Sequence, residues 1–348
     1  MKILHIVNRL EVGGVEVGIL NLLSKSDENF YVVPIKGIDE LFIQSLSSDA
    51  KRRIIFSKNK INLFFRCLNL KPNIIVSSLW RAHIFRVLLS LFFPSASTVH
   101  FIHNSRYAHF IDRIITKVSL KICTLAFSDS ETTRDWARNH GCNKEIKIVP
   151  MNVSFLPENI AVSPLKYNDL IKGKVRFVFV GRYCEQKNFD LAFEFLRELK
   201  NNGIEVEYDL YGRDDNYVDK IKYKIKKYAL DRNVRIHESV DPSEVEFLLK
   251  SYDFYLQTSS AEGMAISVFQ SIRAGLIPVV TPVGEIASYT ENGKNAFYLD
   301  SCNIELLANK FCETDFSKYS AGTVINNGKY PIFHKIYFES ASSVFTKN

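Results

Sequence analysis

Three short stretches of this chain combine residue types that can do chemistry, and each stands directly after an apolar run. The first is Val12-Gly13-Gly14-Val15-Glu16-Val17-Gly18, after Ile3–Val7. Adjacent glycines let a backbone pass close to a phosphate or a sugar, and a following helix offers free N–H groups to an anion. The Gly-Gly-x-x-x-Gly spacing departs from the dinucleotide pattern Gly-x-Gly-x-x-Gly, and a plain tight turn uses the same residues. The second stretch, Gly181-Arg182-Tyr183-Cys184-Glu185-Gln186-Lys187-Asn188, follows Val175–Val180. It sets Arg182 and Lys187 five residues apart on one loop, which suits a diphosphate leaving group whose negative charge grows as its bond breaks. The third runs from Ser259 through Glu262, Gly263, Met264 and Ala265 into a helical pattern over Ile266–Arg273. Backbone N–H groups at the start of that helix can hold phosphate or sugar oxygens. Gln270 lies about two turns beyond Glu262, which predicts that both project along one face towards one ligand.

The elements that would position these stretches alternate regularly. In the first half, Lys2–Val7, Tyr31–Pro34, Arg53–Phe56, Asn73–Ser77, Thr98–His103, Leu125–Ser128 and Ile146–Val149 read as short buried strands, with a helix from Val15 to Leu23. In the second half, Val175–Val180, Glu205–Tyr211, Val234–His237, Phe254–Gln257 and Pro278–Val280 read as strands, with a helix over Phe189–Leu199. This rhythm predicts parallel sheets covered on both faces. Between the halves, residues 151–174 carry Pro157, Pro164, Asn152 and Asn159 without a clear period, which reads as a linker. The expected organisation is an α/β fold of two facing Rossmann-like, doubly wound domains, residues 1–150 and 175–330. Their strand ends would meet at a central cleft. Residues 331–348 are expected to form a helix that packs back towards the N-terminal domain.

Composition narrows the classes. A chain of 348 residues with 46% hydrophobic and 24% charged residues is globular and long enough for two domains. The six cysteines show neither Cys-x-x-Cys pairing nor zinc spacing, and read as idle thiols of a reducing compartment. Met1 runs straight into Ile3–Val7, which is too short for a signal sequence and reads as the first strand. The longest apolar run, Val87 to Phe93, is far short of a membrane span. Residues 1–150 hold 21 Lys and Arg against 12 Asp and Glu, leaving 24 against 26 in the rest. That asymmetry gives the first half an anionic partner, whether membrane surface, phosphate-bearing acceptor or nucleic acid.

Taken in order, the double glycine after the first strand, Gly-Arg…Lys-Asn after the linker, and Glu-Gly…Gly-Leu-Ile-Pro-Val-Val resemble one family. It is the large retaining family 4 of glycosyltransferases with the GT-B fold (glycosyl transferases group 1). Pro282-Val283-Gly284-Glu285 and Glu291-Asn292-Gly293-Lys294-Asn295 fit the same template, and the resemblance spans roughly residues 1 to 300. The resemblance implies a transferase that moves a sugar, hexosyl in type, from a nucleotide-sugar to a saccharide or lipid-linked acceptor in surface polysaccharide or glycan biosynthesis, with UDP the favoured carrier. It implies that Arg182 and Lys187 neutralise the donor diphosphate and that Glu262 contacts the transferred sugar. Gly263, Met264 and Ala265 would supply backbone donors, although glycine is common where Ala265 stands. Gly13, Gly14 and Gly181 would let the loops close on the phosphates. His103, at the end of its strand, matches a histidine that meets the donor sugar, while alternation points His100 to the opposite face.

The family carries two glutamates with seven residues between them, and Gln270 takes the second position here. An amide still donates and accepts hydrogen bonds, so a ribose contact in weaker form is expected. The implied mechanism is same-face substitution through an oxocarbenium-like state, with the leaving phosphate helping to deprotonate the acceptor. No Asp-x-Asp metal loop is found, Asp214-Asp215 reading as a solvated loop, so no metal and no further cofactor are expected. The expected location is cytoplasmic, at the inner face of the membrane, with Trp80-Arg81, Phe85-Arg86 and Leu88–Phe93 as the face that contacts anionic lipid. Two alternatives keep the fold: a nucleotide-sugar epimerase, and a non-catalytic scaffold partner for which Gln270 speaks. Nucleic-acid binding would rest on charge alone.

Overall fold

The computed structural model describes residues 1–104, 106–155, 174–319 and 332–345. The chain forms two compact units, Met1–Val153 with Pro331–Asn348, and Ser154–Tyr330. Of the expected linker, residues 156–173 lie outside the described residues. At its start, the carboxylate of buried Glu246 accepts from Ser154 Oγ (2.7 Å) and the Phe155 N–H (2.6 Å), which holds these residues to the second unit.

The first unit is built on a six-stranded, wholly parallel sheet in the order β2-β1-β3-β4-β5-β6. These strands are β1 (Ile3–Val7), β2 (Phe30–Pro34), β3 (Ile74–Ser78), β4 (Ser97–Ile102), β5 (Leu125–Ser128) and β6 (Ile146–Ile148). Every residue of β1, β3, β4 and β5 is buried, as a sheet covered on both faces requires. Around it lie α1 (Gly14–Lys25), α2 (Ser48–Arg52), α3 (Lys60–Leu70), α4 (Trp80–Ser90), α5 (Phe110–Ile122) and α6 (Glu131–Asn139).

The C-terminal helix Phe333–Phe345 also belongs to this unit. It buries Phe333, Tyr337, Ala341 and Val344 at near-helical spacing. Gly18 of α1 is what admits it: a Cβ there would stand 2.3 Å from Met151 Cε and 3.1 Å from Phe333 Cε1. The last glycine of the Gly-Gly-x-x-x-Gly stretch therefore serves packing.

The second unit repeats the plan in the order β12-β11-β10-β7-β8-β9, again all parallel. Its strands are β7 (Lys174–Val180), β8 (Glu205–Tyr211), β9 (Val234–His237), β10 (Phe254–Gln257), β11 (Ile277–Val280) and β12 (Phe297–Tyr298). The helices are α7 (Phe189–Asn201), α8 (Val218–Lys227), α9 (Val245–Leu249), α10 (Ile266–Arg273), α11 (Ile286–Tyr289) and α12 (Ile304–Glu313), which makes the C-terminal helix α13. Phe177, Phe195, Phe254, Phe311 and Phe316 pack ring to ring at its centre. In each sheet the strand order reverses once, between β1 and β3 and between β7 and β10. Open α/β sheets bind ligands beyond the carboxyl ends of the strands at such points.

Three expectations need correction. Arg53–Phe56 is not a strand but makes one bridge, Ile54 to Val32. The Arg53 guanidinium instead closes the end of α1, donating to the Leu23 carbonyl (2.9 Å), Ser26 Oγ (2.5 Å) and the Asp27 carbonyl (2.7 Å). Strand β12 went unread because two residues carry no period. Phe85-Arg86 does not form an outward basic face, since Arg86 is fully buried. Among the described residues no helix is long and apolar enough to cross a membrane.

Candidate active site

In the second unit, two loops close on each other beyond β7 and β10. The loop after β7 begins at Gly181 and is anchored by Tyr183, whose N–H donates to the Arg213 carbonyl (2.9 Å). The Tyr183 hydroxyl lies 2.6 Å from the Leu210 carbonyl and 2.7 Å from that of His237, and burial pushes its pKa well up, so it stays a donor. Gly212 is required beside it, because a Cβ there would sit 1.8 Å from the Gly181 carbonyl oxygen. A single turn of 3₁₀ helix, Glu185–Lys187, follows, with Asn188 in the left-handed region at φ 46°.

This turn is fastened to the loop after β10. The Ser260 N–H donates to the Gln186 carbonyl (2.9 Å), Gln186 Nε2 to the Ala261 carbonyl (2.5 Å), and Thr258 Oγ1 to the Asn188 carbonyl (2.9 Å). Lys187 Nζ is thereby placed 2.6 Å from Glu262 Oε1, with side chains only 12% and 9% exposed. Gln257 Nε2 donates to the same oxygen at 3.1 Å. A pair this sheltered is held by a far stronger field than a surface ion pair.

Glu262 lies in the loop, not on the helix. Ala265 adopts φ 48° and ψ 63°, a left-handed residue that separates Glu262-Gly263-Met264 from α10. The path from Glu262 to Gln270 is therefore a loop followed by a helix rather than two continuous helical turns. From the far side, the Pro282–Glu285 stretch presses on this loop. Gly284 stands at φ +59°, where a Cβ would meet the Glu262 carbonyl oxygen at 2.1 Å, and the Glu285 N–H donates to the Gly263 carbonyl (3.1 Å). The Tyr289 hydroxyl donates to the Met264 carbonyl (2.9 Å). Helix α10 has no side-chain cap, which leaves its first N–H groups for a ligand. Gln270 Nε2 and Ser259 Oγ are buried and have no hydrogen-bond partner among the described residues.

Arg182 turns elsewhere. Its Nη1 lies 3.1 Å from Asp215 Oδ2, and Arg213 Nε is equally close to Oδ1 of the same residue. Asp214 accepts from the N–H groups of Tyr217 and Val218 at the start of α8. The two acids are thus committed to a cation pair and a helix cap.

In the first unit, Gly13 is extended (φ −169°) and Gly14 opens α1. A Cβ on Gly13 would meet only the mobile tip of Glu16. His103 follows β4, and its Nε2 lies 2.9 Å from Ser78 Oγ. The same hydroxyl is 2.8 Å from His5 Nε2, and His5 Nδ1 is 2.9 Å from the Tyr337 hydroxyl on α13. Burial above all, with neighbouring His103 as a lesser cause, lowers the His5 pKa well below that of a free imidazole, while burial keeps Tyr337 protonated. Protons are therefore passed in one direction: Tyr337 donates to His5, His5 to Ser78, and Ser78 to His103. That leaves the His103 proton on Nδ1, 3.4 Å from Asp129 Oδ2 but not aligned for a hydrogen bond.

On the opposite face, as alternation requires, His100 stacks on His83 with ring centroids 3.7 Å apart. The sequence did not single out Ser78, Asp129, Gln257 or Tyr289. Only a map of which loops meet identifies them. His83 and Arg86, three residues apart on one helix, could have been found by spacing.

Residues 166–313, less than half of the chain, match the family described as Glycosyl transferases group 1. A relative named "Putative colanic acid biosynthesis glycosyltransferase WcaL", from Salmonella typhimurium, is 25% identical over 157 residues. That match covers 43% of this chain and 38% of the relative's length. Among solved structures, Anabaena Alr3699/HepE in complex with UDP-glucose superposes with a TM-score of 0.78 at 16% identity, covering 99% of this chain and 100% of that one. The lipopolysaccharide outer core galactosyltransferase WaaB gives 0.67 at 15%, covering 99% of each. At such identities these likenesses show the fold, the two-domain α/β architecture of GT-B glycosyltransferases. The domain match and the fold together support a glycosyltransferase.

Proposed function

We propose that the chain is a retaining, family 4 glycosyltransferase that moves a hexosyl group from a UDP-sugar to a saccharide or lipid-linked acceptor in surface glycan assembly. The carrying observation is the sheltered Lys187–Glu262 pair beside the uncapped start of α10. A diphosphate draws Lys187 away from Glu262 and takes the free N–H groups, and Glu262 is released to the sugar hydroxyls. The orphaned Gln270 amide is a donor awaiting an acceptor such as a ribose hydroxyl. Arg182 reaches the phosphates by exchanging Asp215 for them.

Transfer then breaks the bond between the anomeric carbon and the phosphate oxygen and forms one to the acceptor oxygen on the same face. The acceptor proton goes to the leaving phosphate. Retention rests on the motif resemblance. Lys187 and Arg182 supply the positive charge that a metal supplies elsewhere. The UDP-glucose and UDP complexes of HepE favour UDP, and the WcaL and WaaB relatives favour cell-surface glycans.

Peripheral contact with an anionic membrane at the cytoplasmic face is supported by α5. Phe110, Ile114, Val118 and Ile122 stand 74%, 45%, 46% and 48% exposed at intervals of four. Arg113, Lys117 and Lys121 interleave with them on the same helix.

Calorimetry with UDP, GDP and ADP, with and without EDTA, on the wild type and Gln270→Glu tests the donor reading. Binding of UDP that is indifferent to EDTA, and tightened about 10-fold by the glutamate as a charged hydrogen bond would do, supports it. No nucleotide binding by either form would make the scaffold reading the better one.

A further inference from the structure

The first unit has a pocket beyond β1, β3 and β4, walled by Trp80, Tyr107 and Trp136 and floored by His83 and His100, with His103 of the candidate site also in its lining. Beneath that floor lies Arg86, fully buried, with no carboxylate partner among the described residues. Its Nε donates to Ser77 Oγ (3.1 Å), and its Nη2 donates to Ser119 Oγ (2.6 Å) and the Ser119 carbonyl (3.0 Å). Nη1 has no partner. An unpaired buried guanidinium is costly to keep, and burial lowers its pKa only to about 10, so at neutral pH it stays charged.

Its hydrogen bonds dictate the protonation of both histidines. Each serine oxygen already accepts from Arg86, so each hydroxyl proton has only an imidazole Nδ1 to go to: Ser77 to His83 at 2.9 Å, and Ser119 to His100 at 2.7 Å. Both rings are buried and neutral, and their protons must sit on Nε2. Neither Nε2 has a hydrogen-bond partner among the described residues. Two parallel N–H donors thus belong to the floor of a pocket under which a full positive charge is fixed.

The wall adds to the same sign. Leu79, at φ 72° and ψ 151°, opens α4 without a side-chain cap, so the first N–H groups of α4 are left over. A leucine in that region is strained, as backbone at binding sites can be. Arg106 stands at the rim. Asp112 is the acid of the wall, and its oxygens are taken by the Ala108 N–H (2.7 Å) and Thr116 Oγ1 (3.0 Å). Asn8 Oδ1 and the Tyr107 hydroxyl are buried there without hydrogen-bond partners among the described residues.

We infer that this pocket recognises an oxyanion, the phosphate or carboxylate group of an acceptor saccharide, on the Nε2–H groups of His83 and His100 over Arg86. The aromatic walls suit the sugar ring that carries it. The assignment of the ligand to the acceptor rests on the transferase reading; the anion site itself does not.

The chain has two tryptophans, Trp80 and Trp136, and both line this pocket, so tryptophan fluorescence, excited where tyrosine does not absorb, reports on it. The full chain is titrated with inorganic phosphate, glucuronate and glucose at constant ionic strength, with and without saturating UDP. Saturable quenching by phosphate or glucuronate, at least 10-fold tighter than by glucose, is expected, and whichever anion binds tighter names the group. His83→Leu and His100→Leu each weaken it at least 10-fold. Arg106→Ala, an exposed change that spares the core, weakens it about 3-fold.

Anion responses no larger than that of sodium chloride, or binding unchanged in the histidine variants while UDP calorimetry shows them folded, would overturn the site. Loss of the anion response when UDP saturates would assign the pocket to the donor and overturn the acceptor reading. Anion binding in a chain that binds no nucleotide would leave this site standing and remove the transferase.

Discussion

Each unit buries a cation beside a candidate ligand site, and the two treat it differently. Lys187 in the second unit faces a carboxylate, so its charge is cancelled until a ligand takes it over. Arg86 in the first unit faces hydroxyls, a carbonyl and imidazoles, and nothing cancels it. The first arrangement exchanges partners on binding and can release Glu262 at the moment a diphosphate arrives. The second is a standing field that needs no rearrangement and adds to the burial that keeps His83 and His100 neutral. A chain whose formal charge excess lies in residues 1–150 has placed part of that excess where water cannot screen it.

The contrast predicts different responses to acid, and this is the largest expected effect. Burial first, and neighbouring basic groups second, depress the pKa of His5, His83 and His100. Folded, they stay neutral; unfolded, they take up protons below about pH 6.5. The stability they confer is present above that pH and drains away below it, at roughly 1.4 kcal/mol per pH unit for each ring.

In the second unit the shifted acids are also lowered, but in favour of their charged form and in a more acid range. Hydrogen bonds from Lys174 and Arg235 hold Glu207 low. Burial raises Asp209, but Arg235, His237 and Tyr252 more than reverse it. Their contribution persists until the pH nears 4, the unfolded carboxylate range. In an acid titration, tryptophan fluorescence, which sees only the first unit, should lose its native signal between pH 6.5 and 5. Far-ultraviolet circular dichroism should keep the second unit's share until about pH 4. Coincident transitions below pH 4 would sink the comparison.

The next effect sharpens the exchange at Lys187. Lys187→Met should weaken UDP binding by roughly 10- to 100-fold, the worth of a charged hydrogen bond. Glu262→Gln frees Lys187 and should leave UDP affinity within about 3-fold of wild type or tighten it, while sugar transfer falls about 100-fold or more. Equal losses of UDP affinity in both variants would mean that the pair is structural and that no exchange occurs.

Much of this architecture was legible in the sequence because buried parallel strands are unbroken apolar runs. Glu205–Tyr211, Val234–His237 and Phe254–Gln257 occupy the positions the sequence predicts, and α10 starts and ends where its helical pattern does. What was hidden depends on register between distant loops. Nothing local ties Lys187 to Glu262, 75 residues away, or Tyr337 to His5, 332 residues away. Gly284 carried a motif but no role until the Glu262 carbonyl was found against it. Arg53–Phe56 misled because an apolar run of strand type was recruited, through one guanidinium, to close a helix.

The smallest effect lies at the hinge of the Glu262 loop. Ala265 holds φ 48°, where a Cβ crowds the following carbonyl at a cost of roughly 1–2 kcal/mol. Ala265→Gly removes that strain but gives the unfolded chain more freedom to lose, worth about 0.5–1 kcal/mol. The net gain in second-unit stability should therefore lie between about 0 and 1.5 kcal/mol, read from denaturant midpoints followed by circular dichroism. UDP affinity should stay within about 2-fold, because the backbone path is already the one glycine prefers. A gain above that range would mean that the strained residue was storing energy released on ligand binding. Affinity for UDP would then fall as stability rose, and the second unit's site, like Leu79 beside the first, would be held open by its backbone.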